Sequence, residues 1–189
     1  MKTRWVTTAA AVMALAFAPA VTLAQQSSAP AAEKKAKVPS GDKKFIESAY
    51  QDNLAEVELG KLASERGASD SVKKFGQRMV DDHGKANEEL AKLAQDKGVS
   101  TPSGLDGRHQ KLRDRLAKLS SSDFDRAYAG EMLKGHRKDV KEFQRAADRG
   151  KDPDVKTYAS KTLPVLQEHL KQAEDMHVQV KGSVKAAKK

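Results

Sequence analysis

The chain has 189 residues, which is enough for one domain with a substantial core. It has no cysteine, which excludes disulfide frameworks, cysteine nucleophiles, thiolate zinc sites and iron–sulfur clusters. The formal net charge of +9 is confined to the ends: segments 1–24, 25–44 and 181–189 carry +2, +3 and +4, and segment 45–180 is neutral. Because the folded part has no net charge and only 5% of the residues are aromatic, the sequence does not favour a nucleic-acid partner.

Residues 1–24 have the features of a secretory signal peptide. A short basic start precedes an apolar stretch over residues 9–18, and small residues follow it. We expect cleavage after Ala24, with Ala20 as the second choice. The apolar stretch is shorter than the ~20 residues that a membrane-spanning helix needs. The sequence therefore predicts a periplasmic protein without a transmembrane segment in its mature form. It is not a lipoprotein, because there is no cysteine to carry a lipid.

Two basic segments flank the part that is predicted to fold. Residues 25–44 are rich in Ala, Ser, Pro and Lys without periodicity, which predicts a flexible linker. Residues 181–189 predict a basic, disordered tail. Both ends could contact an anionic surface of the cell envelope, because clustered lysines attract polyanions.

Between these ends, apolar residues recur at helical spacing in four segments, 45–63, 72–93, 124–147 and 155–180. The first two segments and the last two are joined by short breaks, so each pair predicts an antiparallel hairpin. A long connection, residues 97–121, joins the pairs and contains leucines at helical spacing. We therefore predict an all-α, ferritin-like four-helix bundle over residues 45–180, with a short helix in the crossover. An up-down-up-down bundle with a large loop is the alternative.

Five motifs occur in order along the chain. They are Glu56-Val-Glu-Leu-Gly-Lys-Leu-Ala63, Met79-Val-Asp-Asp-His83 followed by Asn87-Glu-Glu-Leu90, Phe124-Asp-Arg-Ala-Tyr128, His136, and Leu163-Pro-Val-Leu-Gln-Glu-His169. Over residues 43–178 the chain resembles the exported bacterial family called domain of unknown function 4142. The resemblance implies a ferritin-like bundle in the cell envelope, and it implies no activity.

Each predicted helix carries one potential metal ligand near its midpoint. These ligands are Glu56, His83, His136 and His169. Asp52, one turn before Glu56, is the alternative carboxylate because it is level with His83 along the hairpin. Three neutral imidazoles and one carboxylate suit a single Zn²⁺, Cu²⁺, Ni²⁺, Fe²⁺ or Mn²⁺ ion. Asp82 and Asp139 could accept hydrogen bonds from the imidazole rings and orient them.

A di-iron centre does not fit this chain. Di-iron bundles use two Glu-x-x-His motifs, whereas Val80, Leu133 and Leu166 stand three residues before the three histidines. The main alternative to a single-metal site is a purely structural, hydrogen-bonded layer of the same four side chains. The function is then either a periplasmic binding or envelope-stress module that holds one metal ion, or an envelope-surface interaction protein. An acid–base enzyme is less favoured, because no nucleophile is evident.

Overall fold

The computed structural model describes the backbone of residues 37–187 and the side chains of residues 37–182. The described residues form α1 (Ser40–Arg66), α2 (Asp70–Lys97), α3 (Gly107–Ala117), α4 (Ser121–Arg149) and α5 (Pro153–Ala187). The predicted signal peptide, residues 1–24, and most of the predicted linker lie outside the described residues. None of the described helices has the length and apolarity that crossing a membrane requires.

Local signals in the sequence set the helix ends. The hydroxyl of Ser69 accepts a hydrogen bond from the amide of Val72 at 3.4 Å and caps α2. Gly98 ends α2 with a φ of 65°, in the left-handed region that glycine enters without strain. Asp152 caps α5 by accepting hydrogen bonds from two backbone amides, and Pro153 occupies the first helical position. The predicted stop and restart at residues 150–153 is confirmed.

The helices form two hairpins, α1 with α2 and α4 with α5. Asp125 of α4 accepts hydrogen bonds from the amides of Ala68 and Ser69, both at 2.9 Å, so α4 begins beside the α1–α2 turn. At the other end, Asp42 accepts from the amides of Lys151 and Asp152. α1 and α4 are therefore antiparallel, and residues 98–120 run the length of the bundle. This confirms the all-α bundle of two hairpins joined by a crossover with a short helix. The ferritin-like assignment stays a prediction.

Two boundaries differ from those predicted. α1 begins at Ser40, five residues before the predicted start of the bundle at residue 45. The cause is Asp42, whose carboxylate is buried against the distant α4–α5 turn. At the other end, α5 continues to Ala187, inside the predicted tail 181–189. The alanines and lysines there favour helix, and a single glycine at position 182 does not end it.

The interior consists of two apolar clusters. The cluster near the α1–α2 turn includes Phe75, Phe124 and Tyr128, and the cluster at the opposite end includes Phe143 and Tyr158. Between the clusters, α2, α4 and α5 each carry a buried histidine, and α1 carries a buried asparagine and a buried glutamate. The bundle thus has a polar layer near its middle, and this layer holds the predicted site residues.

Candidate metal centre

Three buried histidines from three helices meet in the polar layer. His83 of α2, His136 of α4 and His169 of α5 each place a ring nitrogen within 4.8 Å of one on each of the others. Their ring centroids form a nearly equilateral triangle, with separations of 5.3, 5.4 and 5.6 Å. The sequence predicted that these three residues share a depth in the bundle, and the structure brings them together.

A backbone carbonyl fixes the tautomer of His136. Its Nδ1 lies 2.9 Å from the carbonyl oxygen of Met132, one turn earlier on α4. A carbonyl only accepts hydrogen bonds, so Nδ1 carries the proton and Nε2 keeps a lone pair. That Nε2 is buried and has no hydrogen-bond partner.

His83 is oriented in the same way by a side chain of α1. Its Nδ1 lies 2.9 Å from Oδ1 of Asn53, and the amide nitrogen of Asn53 donates to the hydroxyl of Tyr158. The Tyr158 hydroxyl in turn donates to the carbonyl of Ala86. Since Asn53 Oδ1 accepts, His83 Nδ1 carries the proton, and the buried Nε2 is left without a partner.

His169 completes the set with a carboxylate partner. Its Nε2 lies 2.8 Å from Oδ2 of Asp82, and Asp82 also accepts from Arg78 at 3.1 Å. Burial opposes ionisation of Asp82, but hydrogen bonds from His169 and Arg78 lower its pKa. Nε2–H of His169 therefore donates a hydrogen bond to the Asp82 carboxylate, and the buried Nδ1 of His169 has no partner. Oxygen acceptors that orient metal-binding histidines in this manner are common in proteins.

All three rings are held in the neutral form. Burial lowers the pKa of His136 to about 4. Burial, reinforced by the two neighbouring imidazoles, lowers the pKa of His83 well below its usual range, and burial lowers the pKa of His169. Near neutral pH the layer therefore presents three neutral imidazoles, each with one nitrogen lone pair that no protein group uses. Neutral imidazole is the form that binds metal ions.

Neither predicted carboxylate joins the three histidines. Neither Glu56 nor Asp52 places a carboxylate oxygen within 4.8 Å of all three of the histidine nitrogens that lie together. Both line a cleft between α1, α3 and α4. The α1 residue that bonds to one of the histidines, His83, is Asn53, which is not among the residues predicted from the sequence. An asparagine inside a long helix was the available signal, because this residue type favours caps and turns.

The hydrogen bonds of the polar layer also differ from the predicted ones. Among the described residues, no hydrogen bond joins any two of Glu56, His83, His136 and His169; each histidine bonds to an acceptor outside this set. Asp82 was expected to orient a ring, and it orients His169 rather than its neighbour His83. Asp139 was the other expected acceptor, and the acceptor of His136 is the Met132 carbonyl instead.

A second acidic group lies apart from the histidines. Asp52, Asp139 and Glu142 place carboxylate oxygens within 4.8 Å of one another. The ammonium of Lys138 lies among them, at 2.6 Å from Asp52, 3.6 Å from Asp139 and 3.2 Å from Glu142. Burial opposes ionisation of Asp52, but hydrogen bonds from His109 and Lys138 bring its pKa to about 2. The lysine already supplies the positive charge that a metal ion would bring to this group.

Asp139 gives the folded protein a distinct pH dependence. Burial and the negative charge of Asp52 raise the pKa of Asp139 to about 7, whereas the unfolded chain releases this proton near the ordinary aspartate pKa of 3.8. The folded state binds the extra proton, so the free energy of unfolding falls as the pH rises from about 4 to about 7. We expect Asp139→Asn to raise the free energy of unfolding at pH 8 by up to about 4 kcal/mol.

Urea unfolding at pH 4.5 and pH 8 measures this effect. The difference in the free energy of unfolding between variant and wild type reports on residue 139, because the other titrating groups contribute equally to both proteins. Asp148→Asn, which removes an exposed carboxylate from the same helix, is the control and should leave the pH dependence as it is. Equal stability of Asp139→Asn and wild type at pH 8 would show that Asp139 is already ionised there without cost.

Comparisons with known proteins agree with this fold. A family model described as "Domain of unknown function (DUF4142)" matches residues 25–176. A DUF305 fragment from Deinococcus radiodurans is similar in structure, with a TM-score of 0.66 and 12% identity, covering 76% of this chain and 99% of that one. CopM in its Cu(II)-bound form has a TM-score of 0.62 and 17% identity, covering 73% of this chain and 96% of CopM. The Ag-bound form of CopM has a TM-score of 0.60 at the same identity and coverage. No curated protein matches the chain. At these identities the likeness shows a shared fold.

Proposed function

Since the chain belongs to the DUF4142 family, whose name assigns no activity, we propose from its own residues that it binds one soft metal ion, Cu(I) or Ag(I). The ligands are His83, His136 and His169. One observation carries the proposal: each of the three buried rings has one nitrogen bonded to an oxygen acceptor and the other without a partner. A purely structural layer would leave three buried acceptors unsatisfied, which costs about 1–3 kcal/mol each.

The distances suit a shared ion. Three nitrogens at about 2.0 Å from one ion lie about 3.5 Å apart, so rings whose nitrogens lie within 4.8 Å need to move by less than about 1 Å each. The oxygen acceptors hold the rings in the tautomers that present the free nitrogens. The site is therefore largely preorganised for three-coordinate binding.

The charge of the site favours a monovalent ion. No carboxylate belongs to the three-histidine group, and Asp82, which orients His169, is already paired with Arg78. The cost of burying an ion rises with the square of its charge, so three buried neutral ligands without a carboxylate favour a monovalent ion over a divalent one. Cu(I) and Ag(I) accept three neutral nitrogen ligands. Met79 and Met132, one turn before His83 and His136 and fully buried nearby, add polarisable sulfur to the surroundings.

The structural neighbours support the choice of metal to test. CopM, which shares the fold, has been crystallised in Cu(II)-, Cu(I)- and Ag-bound forms. The donor set also argues against a di-iron centre, which relies on carboxylates. That this chain binds the same metals as CopM is part of the proposal, because the two sequences are only 17% identical.

We place this activity in the periplasm, as a binding or envelope-stress module. The support is the leader-like sequence of residues 1–24. The alternative role, contact of the basic ends with anionic envelope polymers, rests on the lysines of residues 25–44 and 181–189. It is compatible with metal binding, because the histidine layer and the chain ends share no residue.

Anaerobic titration of the protein without a histidine tag tests the proposal. Cu(I) would be delivered from its bicinchoninate complex, and the loss of colour would report transfer to the protein. We expect one equivalent of Cu(I) to bind wild type, Ag(I) to compete for the same site, and Zn²⁺ not to displace either. The His83→Leu/His169→Leu variant should lose this equivalent. Equal uptake by the variant and wild type would overturn the proposal.

A further inference from the structure

A cleft separate from the histidines opens between α1, α3 and α4. It has a volume of about 450 Å³, which is within the usual range for sites that bind small molecules. The crossover helix α3 forms its roof, held by ion pairs of Arg108 with Asp52 and of Arg115 with Glu131. Leu59, Leu112 and Met132 give it an apolar wall.

The lining of the cleft contains more Lys and Arg side chains than carboxylates, five against four. Three of the five basic side chains form ion pairs with Asp52 or Glu131. The other two, Lys111 and Lys134, form no ion pair with any residue that the structure describes. These two ammonium groups line the same cleft, one from α3 and one from α4, and are suited to binding an anionic group.

Glu56 adds an unused hydrogen-bonding group inside the cleft. Its side chain lines the cleft, yet the residue is only 6% exposed, and its Oε2 has no hydrogen-bond partner. Gly135 leaves room for it, since a Cβ at that position would lie 3.3 Å from Oε1. Burial and the nearby Asp139 and Asp52 raise its pKa well above the usual range. A neutral carboxyl group carries an O–H that needs an acceptor.

We propose that this cleft binds a small amphipathic carboxylate, such as a medium-chain fatty acid. The carboxylate lies between Lys111 and Lys134 and accepts a hydrogen bond from Glu56, and the hydrocarbon chain packs on Leu59, Leu112 and Met132. An anion fits better than a cation, because two lysines that line the cleft form no ion pair with a described residue, whereas the carboxylates that line it are paired or buried. The three-histidine site takes no part in this binding.

Isothermal titration calorimetry with octanoate tests the proposal, with octanamide as the neutral analogue of the same length. We expect saturable 1:1 binding of octanoate and about tenfold weaker binding of octanamide, which corresponds to loss of one charge-assisted interaction. The Lys111→Gln/Lys134→Gln variant should bind octanoate about tenfold more weakly than wild type. Lys85→Gln/Lys92→Gln, which removes two exposed lysines of α2, is the matched control and should bind like wild type.

Two variants of Glu56 separate its role from that of a structural residue. Glu56→Gln keeps a hydrogen-bond donor and should bind octanoate within about threefold of wild type, whereas Glu56→Leu should bind about tenfold more weakly. Circular dichroism verifies that each variant is folded. Absence of saturable octanoate binding, equal binding of octanamide, or unchanged binding by the variant of Lys111 and Lys134 would each overturn the proposal.

Discussion

Replacing His136 by leucine is expected to lower the affinity for Cu(I) by at least about a hundredfold. Loss of a residue that merely orients a ligand already costs 10- to 100-fold in many metal sites, and here a proposed ligand itself is removed. Leucine fills much of the space of the buried imidazole, so a large cavity is avoided. Competition with bicinchoninate at several chelator concentrations gives the two dissociation constants.

The same variant separates a metal site from a structural layer. His136 Nε2 is buried without a partner, so an apolar side chain should leave the metal-free protein as stable as wild type or make it more stable. His177→Ala is the control, because this histidine lies on α5 outside the three-histidine group. A His136→Leu protein that keeps wild-type affinity for Cu(I) would contradict the assignment of His136 as a ligand.

Replacing Gly76 by alanine is expected to destabilise the fold by about 2 kcal/mol, because it inserts a methyl group into a tight helix contact. A Cβ at Gly76 would lie 2.7 Å from the Gly60 carbonyl oxygen, 2.8 Å from the Ala63 Cβ and 2.9 Å from the Ser64 amide nitrogen. None of these atoms belongs to a flexible side chain, so α1 and α2 must move apart. The loss exceeds the gain in helix propensity of about 1 kcal/mol.

Gly84→Ala is the matched control for this substitution. Gly84 is on the same helix, and a Cβ there would meet nothing within 4 Å. We expect it to raise the free energy of unfolding by up to about 1 kcal/mol. Urea denaturation followed by circular dichroism compares the two variants with wild type. If Gly76→Ala were as stable as Gly84→Ala, close contact of α1 with α2 would not be the reason for glycine at position 76.

The sequence was sufficient for the helices and for the depth of the histidines. Helical periodicity and the break at residues 150–153 predict the second hairpin, and counting from Gly150 places His136 and His169 near the middle of their helices, 14 residues before the turn and 19 after it. Such arithmetic works because α-helices rise by a constant 1.5 Å per residue. It predicts position along the axis, and position along the axis is what the three histidines share.

Direction around the helix axis was harder to predict. Asp52 and Glu56 fall on the apolar stripe of α1, but this helix also faces the cleft under α3, and both side chains lie there. Asn53 is one residue from Asp52, and the 100° rotation between consecutive residues turns it towards His83. Which face of α1 meets which neighbour depends on the path of the crossover, and no local pattern encodes that path.

Contacts between distant parts of the chain explain the other differences. The start of α1 depends on Asp42, whose hydrogen-bond partners lie at residues 151 and 152. The acceptor of His136 is a backbone carbonyl, and a carbonyl is present at every position of the sequence. Asp82 bonds to the histidine of another helix because adjacent side chains on a helix point in different directions.

Crystals grown with Ag(I) test the central claim most directly, because anomalous scattering locates silver without reference to the protein atoms. The account predicts one strong anomalous peak, within bonding distance of Nε2 of His83, Nε2 of His136 and Nδ1 of His169, and no carboxylate oxygen bound to it. Silver found only among Asp52, Asp139 and Glu142 or on the surface, with the three histidines unchanged, would contradict it.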